Sequence, residues 1–250
     1  MLGSICGALM FAKMLKVSLL PYGIAALALS VWIIYTIDHL IDAKEIKGYA
    51  ATTRHRFHQQ HFNILLLALV LAIAIVSVLL FFIRVQVLYG GLLLIGAVLL
   101  YLLLHRYLKI PKEILISILY TCGVLLPSLM VTSLSLQALP LTSIVMFMLS
   151  AFANLLVFSW YDYEKDKQDG FKSIAITLGK NNTQVIVCLI GLVSIVLGWL
   201  AKDNTAALLI FSMIAVQVML IFFPFFFEKQ ERYRLVGDGA FMLPLFYLIL

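Results

Sequence analysis

The sequence predicts an all-α polytopic membrane protein, a helical bundle of about nine transmembrane helices around a central cavity. Two observations lead to this class. Hydrophobic residues make up 64% of the 250 residues and charged residues only 12%, which is more apolar surface than a soluble core can bury. The apolar residues also occur in long runs, each of which meets or approaches the roughly 20 residues that a helix needs to cross a bilayer.

These runs define the elements in chain order and predict a single domain over residues 1–250. The predicted spans are 1–16, 21–41, 61–83, 85–105, 112–132, 139–161, 184–201, 205–227 and 235–250. The first span is short and contains Lys13 and Lys16. Arg84 is nearly the whole connection between the third and fourth spans, so these two are expected to form a tight antiparallel hairpin.

The basic residues predict the orientation of the bundle. Fourteen of the eighteen Lys and Arg residues fall in the alternate loops that join spans 2–3, 4–5, 6–7 and 8–9. The positive-inside rule places these loops in the cytoplasm, with the amino terminus inside and the carboxyl terminus outside. We expect a bacterial inner-membrane location. Because topology accounts for the net charge of +6, nucleic acid is not a predicted partner.

Two acidic pairs end the second and sixth spans. Asp38 and Asp42 have the i, i+4 spacing that puts both on one helix face, as do Asp162 and Asp166, and Asp169 lies one step further. One such pair could simply be solvated by water at the end of a helix, but this explanation is weaker for two pairs with the same spacing. Acids at the end of a span are costly unless they face a cavity, a partner or an ion. Mg²⁺ binds a few carboxylates together with phosphate oxygens. We therefore expect the first four aspartates to be catalytic, and all five to be magnesium ligands.

Acids and bases share the predicted cytoplasmic face, above apolar spans. Carboxylates that hold Mg²⁺, together with Lys and Arg, form a diphosphate site, and the spans beneath can receive a hydrocarbon tail. A polyprenyl diphosphate has both parts. Asn154, two turns before Asp162 on the same face, is a candidate substrate-binding residue, with packing between helices as the alternative. His55, His58 and His61 have no convincing fourth ligand, so zinc is not assigned.

These motifs resemble the UbiA-type intramembrane prenyltransferases over nearly the whole chain. The family's second motif, often D-x-E-x-D, is matched by residues 162–166, its G-x-K-S/T by 170–173 and its later L-G by 178–179. In the first motif, N-D-x-x-D-x-x-x-D, the last two acids are matched, while Ile34 and Tyr35 stand where Asn and Asp are expected. The resemblance implies nine helices, a cytoplasmic active site and Mg²⁺ as cofactor.

Two further motifs are matched with gaps. The stretch 53–57 is similar to T-x-x-R-P with Phe in place of Pro, and 101–106 is similar to Y-x-x-x-K-R with His in place of Lys. The resemblance implies diphosphate contacts from Arg56, Tyr101, Arg106 and Lys172. For the basic residues, topology or lipid headgroup contact is the alternative, and Tyr101 is equally typical of an interfacial aromatic anchor.

The expected function is Mg²⁺-dependent transfer of a polyprenyl group from its diphosphate to an aromatic or lipid-pathway acceptor, in contact with membrane lipid. The loss of two motif residues at Ile34 and Tyr35 leaves open a non-catalytic homologue that binds lipid diphosphates. An ion-coupled transporter is less favoured, because such proteins commonly bind coupling ions near the bilayer midplane, whereas these acids end the spans.

Overall fold

The computed structural model describes residues 1–46, 48–104 and 111–250, and within them it contains helices and no strands. The α-helices are α1 (Leu2–Met14), α2 (Pro21–Glu45), α3 (Thr53–Gln60), α4 (Phe62–Leu79), α5 (Val85–Leu104), α6 (Lys112–Leu129), α7 (Leu141–Tyr161), α8 (Tyr163–Asp169), α9 (Ile174–Leu178), α10 (Lys180–Trp199), α11 (Asn204–Phe222), α12 (Pro224–Phe227) and α13 (Arg232–Ala240). Seven of the described helices are long and apolar enough to cross a membrane, namely α2, α4, α5, α6, α7, α10 and α11. These seven correspond to the second to eighth predicted spans and indicate an integral membrane protein.

The ends of the chain differ from the prediction. Helix α1 has 13 residues, and the predicted span 235–250 is broken into α13 and a 3₁₀ segment, Leu243–Leu248. Pro244 lacks the N–H that a continuing α-helix needs, and Gly237 and Gly239 are poor helix formers. The predicted span 205–227 likewise ends early, at Phe222, and Pro224 starts the separate α12.

Among the seven long helices α7 is the best buried, and it packs against α6, α10 and α11. Its Phe147 makes an edge-to-face contact with Phe11 of α1, with ring centroids 5.4 Å apart. By contrast, α4 and α5 expose apolar side chains such as Leu67 and Leu93, as expected of lipid-facing helices.

The sixth predicted span and its acidic end do not form one continuous helix. Helix α7 ends at Tyr161, Asp162 has φ −83° and ψ 1°, and α8 begins at Tyr163. Helix α8 then stops at Gly170, whose φ of 77° lies in the left-handed region that glycine adopts without strain. The chain therefore changes direction at both ends of α8.

Candidate functional site

The acidic ends of α2 and α8 lie close together, joined by contacts from α3 and from the loop that precedes it. His55 of α3 lies between two carboxylates, with Nε2 3.8 Å from Asp42 Oδ2 and Nδ1 3.7 Å from Asp169 Oδ2. The Ala51 N–H donates to Asp169 Oδ1 at 2.9 Å, and the His55 N–H donates to the hydroxyl of Thr52, which caps α3. The acidic cluster, defined here as Asp38, Asp42, Asp162, Asp166 and Asp169, therefore lies at one end of the bundle.

His55 is a neutral spacer within this cluster. Burial, with the charges of Arg54 and Lys112, lowers the pKa of His55 to about 3. Its ring packs against Phe171, with centroids 4.9 Å apart. The imidazole therefore separates the two carboxylates without contributing a positive charge.

Lys112 supplies positive charge at the first acidic pair. Its Nζ lies 3.7 Å from Asp42 Oδ2 and 5.4 Å from the centre of the Phe171 ring. Lys112 also lies within electrostatic range of Asp38 and Asp166, so both acidic pairs act on it. As the first residue of α6 it stands at the positive end of a helix, which costs about 0.3–1 kcal/mol for an exposed cation. The surrounding carboxylates offset that cost.

The second acidic pair is anchored to α13. The Tyr233 hydroxyl donates to Asp162 Oδ1 at 2.6 Å, and the Arg234 guanidinium donates to Asp162 Oδ2. Tyr233 stacks on Tyr161, with ring centroids 4.1 Å apart and planes 6° apart. Arg234 lies over the Phe158 ring at 5.0 Å. Both oxygens of Asp162 are therefore held by side chains of α13.

A glycine allows α13 to approach α7 this closely. A Cβ at Gly237 would lie 2.6 Å from Asn154 Oδ1 and 2.9 Å from Phe158 Cε1. Asn154 is 7% exposed, and its Nδ2 donates to Asp238 Oδ1 at 3.3 Å. In this structure Asn154 therefore joins α7 to α13, which is the packing role that the sequence left open.

Asp166 is the member of the second pair whose charge is least compensated. Burial and the neighbouring charge of Asp162 raise the pKa of Asp166 to about 7, although Arg54, Lys112 and Arg234 act in the opposite direction. In the described part of the chain, no group of three or more His, Cys, Asp or Glu side chains forms a preassembled metal site. Mg²⁺ fits such an arrangement when one or two carboxylates share the ion with phosphate oxygens of a substrate.

The four residues implied by resemblance to contact diphosphate have different environments. Tyr101 is buried at the end of α5, within electrostatic range of Asp38 and Asp42. Arg56 is exposed, and its guanidinium donates to the Ala50 carbonyl at 3.1 Å. Lys172 is exposed in the loop after α8, and Arg106 lies outside the described residues.

Sequence reasoning missed several residues that hold the site. The buried Glu113 carboxylate accepts the Ile174 N–H at 2.8 Å and so ties the start of α6 to the start of α9. Lys112, Tyr233 and Arg234 were also not assigned. In the sequence, Lys112 and Arg234 look like the other basic loop residues that indicate the orientation of the bundle. The one feature that sets them apart is that each lies at the start of a helix.

A cavity of about 460 Å³ lies beside the acidic cluster, between α2, α3, α4 and the segment before α13. Its lining residues are Trp32, Tyr35, Thr36, Thr53, Arg54, Phe57, His58, Leu65 and Glu231. This volume is in the range of small-molecule sites, and a lining of apolar and aromatic side chains with a few polar groups is typical of them.

Fold and site together define an integral-membrane helical bundle with carboxylates and cations gathered at one end. The fold is shared with a solved apo structure of a UbiA homologue from Aeropyrum pernix K1, with a TM-score of 0.68 and 14% sequence identity. The match covers 99% of this chain and 96% of that chain. The predicted UbiA-like fold is therefore confirmed. No protein-family model matches the sequence, and a search of curated proteins gave no match.

Proposed function

We propose that this protein is a Mg²⁺-dependent intramembrane prenyltransferase of the UbiA family. It transfers a polyprenyl group from its diphosphate to a small aromatic or lipid-pathway acceptor. The observation that carries the proposal is the meeting of two acidic helix ends around Lys112, at one end of an apolar bundle. The fold shared with the UbiA homologue supports it.

The protein's own charges suit the departure of a diphosphate. Lys112 acts on carboxylates of both acidic pairs and Arg54 acts on Asp166, and both cations would also neutralise charge that develops on the leaving group. Magnesium, held with Asp38, Asp42 and Asp166, would supply further positive charge to the diphosphate oxygens. The C–O bond of the allylic diphosphate breaks, and the electron pair leaves with the diphosphate.

The cavity beside the cluster is the proposed acceptor site. The aromatic residues Trp32, Tyr35 and Phe57 line it, and the face of an aromatic ring can stabilise an adjacent cation. Attack by the acceptor forms the new bond to the prenyl carbon, and the acceptor then loses a proton.

His58 is the group that we assign to accept this proton. Its Nδ1 lies 2.9 Å from the Arg54 carbonyl oxygen, which only accepts, so Nδ1 carries the hydrogen and Nε2 holds the lone pair in the neutral ring. Burial is the main cause that lowers the pKa of His58; the hydrogen bond to the Arg54 carbonyl acts in the opposite direction, and the Arg54 charge adds to the lowering. The net shift is downward, which favours the neutral ring that can act as a base at physiological pH.

A lipid-diphosphate binder without turnover is the second candidate. The specific observation in its favour is that both oxygens of Asp162 are held by Tyr233 and Arg234. Ile34 and Tyr35 also offer no carboxylate one turn before Asp38. An ion-coupled transporter is not favoured, since these acids lie at helix ends rather than near the middle of the spans.

Purified protein incubated with a labelled polyprenyl diphosphate, with and without Mg²⁺ and with a panel of acceptors, tests the proposal. We expect Mg²⁺-dependent release of diphosphate and a prenylated acceptor, both lost in Asp38→Asn and Asp166→Asn. His58→Gln should still bind the lipid diphosphate and slow product formation. Metal-dependent binding without diphosphate release would contradict catalysis and favour the second candidate.

We propose a bacterial inner-membrane location, and the distribution of Lys and Arg supports an orientation with the site and the amino terminus on the cytoplasmic side. Labelling of single cysteines in intact cells tests this orientation. A cysteine at Lys229 should react only after the membrane is permeabilised, whereas one at Lys202 should react in intact cells.

A further inference from the structure

Helix α11 ends at the level of the acidic cluster. The Tyr161 hydroxyl donates to the Leu220 carbonyl at 2.6 Å, so the last turn of α11 lies beside the residue that precedes Asp162. The 19 residues of α11 extend about 29 Å, close to the roughly 30 Å thickness of a hydrocarbon core. Phe222, where α11 ends, therefore lies near the boundary between the hydrocarbon and the lipid headgroups.

Helix α12 begins at this boundary and exposes two phenylalanines. Phe223 has a φ of −120° and a ψ of 52°, so the chain leaves the axis of α11, and Pro224 starts α12. Phe225 is 87% exposed and Phe226 62% exposed, and their ring centroids lie 5.5 Å apart. Phe227 packs inward instead, against the hydrophobic core. One side of α12 is therefore held by the protein while the other presents bare aromatic rings.

The position of α12 identifies what covers these rings. Adjacent exposed apolar side chains mark contact with a partner or a membrane. Helix α11 is long and apolar enough to cross a bilayer, so the lipid that surrounds it continues to the start of α12. Directly after α12 come Glu228 and Lys229, both exposed. A change from apolar to charged side chains at this level matches the edge of a lipid leaflet.

The segment that follows α12 is tied to the cavity beside the acidic cluster. Gln230 and Glu231 have φ values of 57° and 53°, which residues other than glycine keep only where the surrounding contacts hold them. Glu231 supplies such contacts, with Oε1 3.3 Å from Lys165 Nζ of α8 and Oε2 3.5 Å from Arg234 Nε of α13. Glu231 also lines the cavity. The segment 228–231 is therefore fixed between α12 on one side and α8 and α13 on the other.

We propose that α12 is an interfacial membrane anchor, in which Phe225 and Phe226 insert into the lipid leaflet at the acidic-cluster end of the bundle. The occupant of this surface is the apolar part of the phospholipids rather than a second protein. The anchor holds the segment 228–231 at the level of the headgroups and so keeps Glu231 at the wall of the cavity. The inference is independent of prenyl transfer and applies to either candidate function.

Spin labelling in vesicles of phosphatidylcholine and phosphatidylglycerol measures the depth of α12. A nitroxide is attached to Phe225→Cys in the whole chain, with the three native cysteines replaced by alanine. Its collision rate with oxygen, which concentrates in lipid, is divided by its collision rate with a water-soluble nickel chelate. Leu208→Cys, on the exposed face of α11, is the lipid control, and Lys229→Cys is the water control.

We expect the oxygen-to-nickel ratio to be highest at Leu208→Cys, intermediate at Phe225→Cys and lowest at Lys229→Cys. A ratio at Phe225→Cys equal to that at Lys229→Cys overturns the inference, because α12 then lies in water. A ratio equal to that at Leu208→Cys also overturns it, because α12 then lies in the hydrocarbon core. Loss of collisions with both reagents means that a second copy of the chain or another protein covers the rings, which overturns it as well.

Photo-crosslinking of the unaltered protein decides the question if the cysteine-free chain does not fold. The protein is reconstituted with a phospholipid that carries a diazirine near the carboxyl end of an acyl chain, and crosslinks are located by mass spectrometry. We expect crosslinks at Phe225 or Phe226. Trp199, which is 89% exposed at the end of α10, is the positive control. Crosslinks at Trp199 with none at either phenylalanine overturn the inference.

Discussion

Replacing Gly237 with alanine tests whether the close approach of α13 to α7 holds the second acidic pair in place. The new Cβ would lie 2.6 Å from Asn154 Oδ1 and 2.9 Å from Phe158 Cε1. Contacts below 3.0 Å are essentially never seen for a Cβ, so either α13 moves or both side chains shift. Movement of α13 would carry Tyr233 and Arg234 away from Asp162.

Gly239→Ala provides a matched control on the same helix, because a Cβ there has no described atom within 4 Å. Alanine favours the helix over glycine by about 1 kcal/mol at either position, so this contribution cancels between the two variants. Overpacking typically costs about 1–3 kcal/mol. Gly237→Ala should therefore be less stable than Gly239→Ala by about 1–3 kcal/mol.

Thermal unfolding in detergent measures this difference. A loss of 1 kcal/mol lowers Tm by roughly 2–4 °C in a chain of this length, so Tm of Gly237→Ala should lie roughly 2–12 °C below that of Gly239→Ala. Asn154→Ala in the same chain removes the shorter contact and should restore part of the loss. Equal Tm values for the two glycine variants would refute the close-approach argument.

Three further predictions concern the same end of the bundle. Tyr233→Phe should lower the free energy of unfolding, measured by denaturant titration, by about 1–3 kcal/mol. Asp162 then loses a buried donor, while the stacking on Tyr161 remains. An unchanged free energy would mean that the 2.6 Å hydrogen bond from Tyr233 to Asp162 is not formed. Glu113→Ala should cost a similar amount by leaving the Ile174 N–H unpaired, and Glu113→Gln, which keeps an acceptor, should cost less in the same titration. With a pKa of about 7, Asp166 is mostly protonated at pH 6 and mostly ionised at pH 8. Mg²⁺ binding measured by calorimetry should therefore be about tenfold weaker at pH 6 than at pH 8. Asp166→Asn should abolish this pH dependence.

The spans could be read from the sequence because the bilayer imposes a minimum length on an apolar helix. The seven long helices correspond to seven predicted spans for this reason. The last span was wrong as a continuous helix, because apolar composition alone cannot show that the α-helix ends at Ala240 and gives way to a 3₁₀ segment. The i, i+4 spacing of Asp162 and Asp166 likewise could not reveal the break between α7 and α8 at Asp162. The two residues are four apart in the sequence whether or not the helix continues through them.

Neighbouring residues of α3 show why side-chain roles were harder to predict. The sequence pattern selected Arg56, but a helix turns by about 100° per residue, so Arg54 and Arg56, two residues apart, are separated by about 200° and lie on different faces. In the structure Arg54 lines the cavity and acts on Asp166, whereas Arg56 bonds the Ala50 carbonyl. Which face points inward depends on how α3 packs, and an eight-residue helix whose only apolar residue is Phe57 has no apolar stripe to reveal it.

By itself the sequence determined the membrane class, the approximate spans and two acidic pairs, because hydrophobic length and helical spacing are local properties of the chain. Only the tertiary structure decided which charges meet. Tyr233 and Arg234 reach Asp162 from 71 and 72 residues away, and Lys112 reaches Asp42 from a different helix. Such pairs form because helix packing, including the glycine contact at Gly237, brings distant helix ends together, and local sequence patterns do not record that packing.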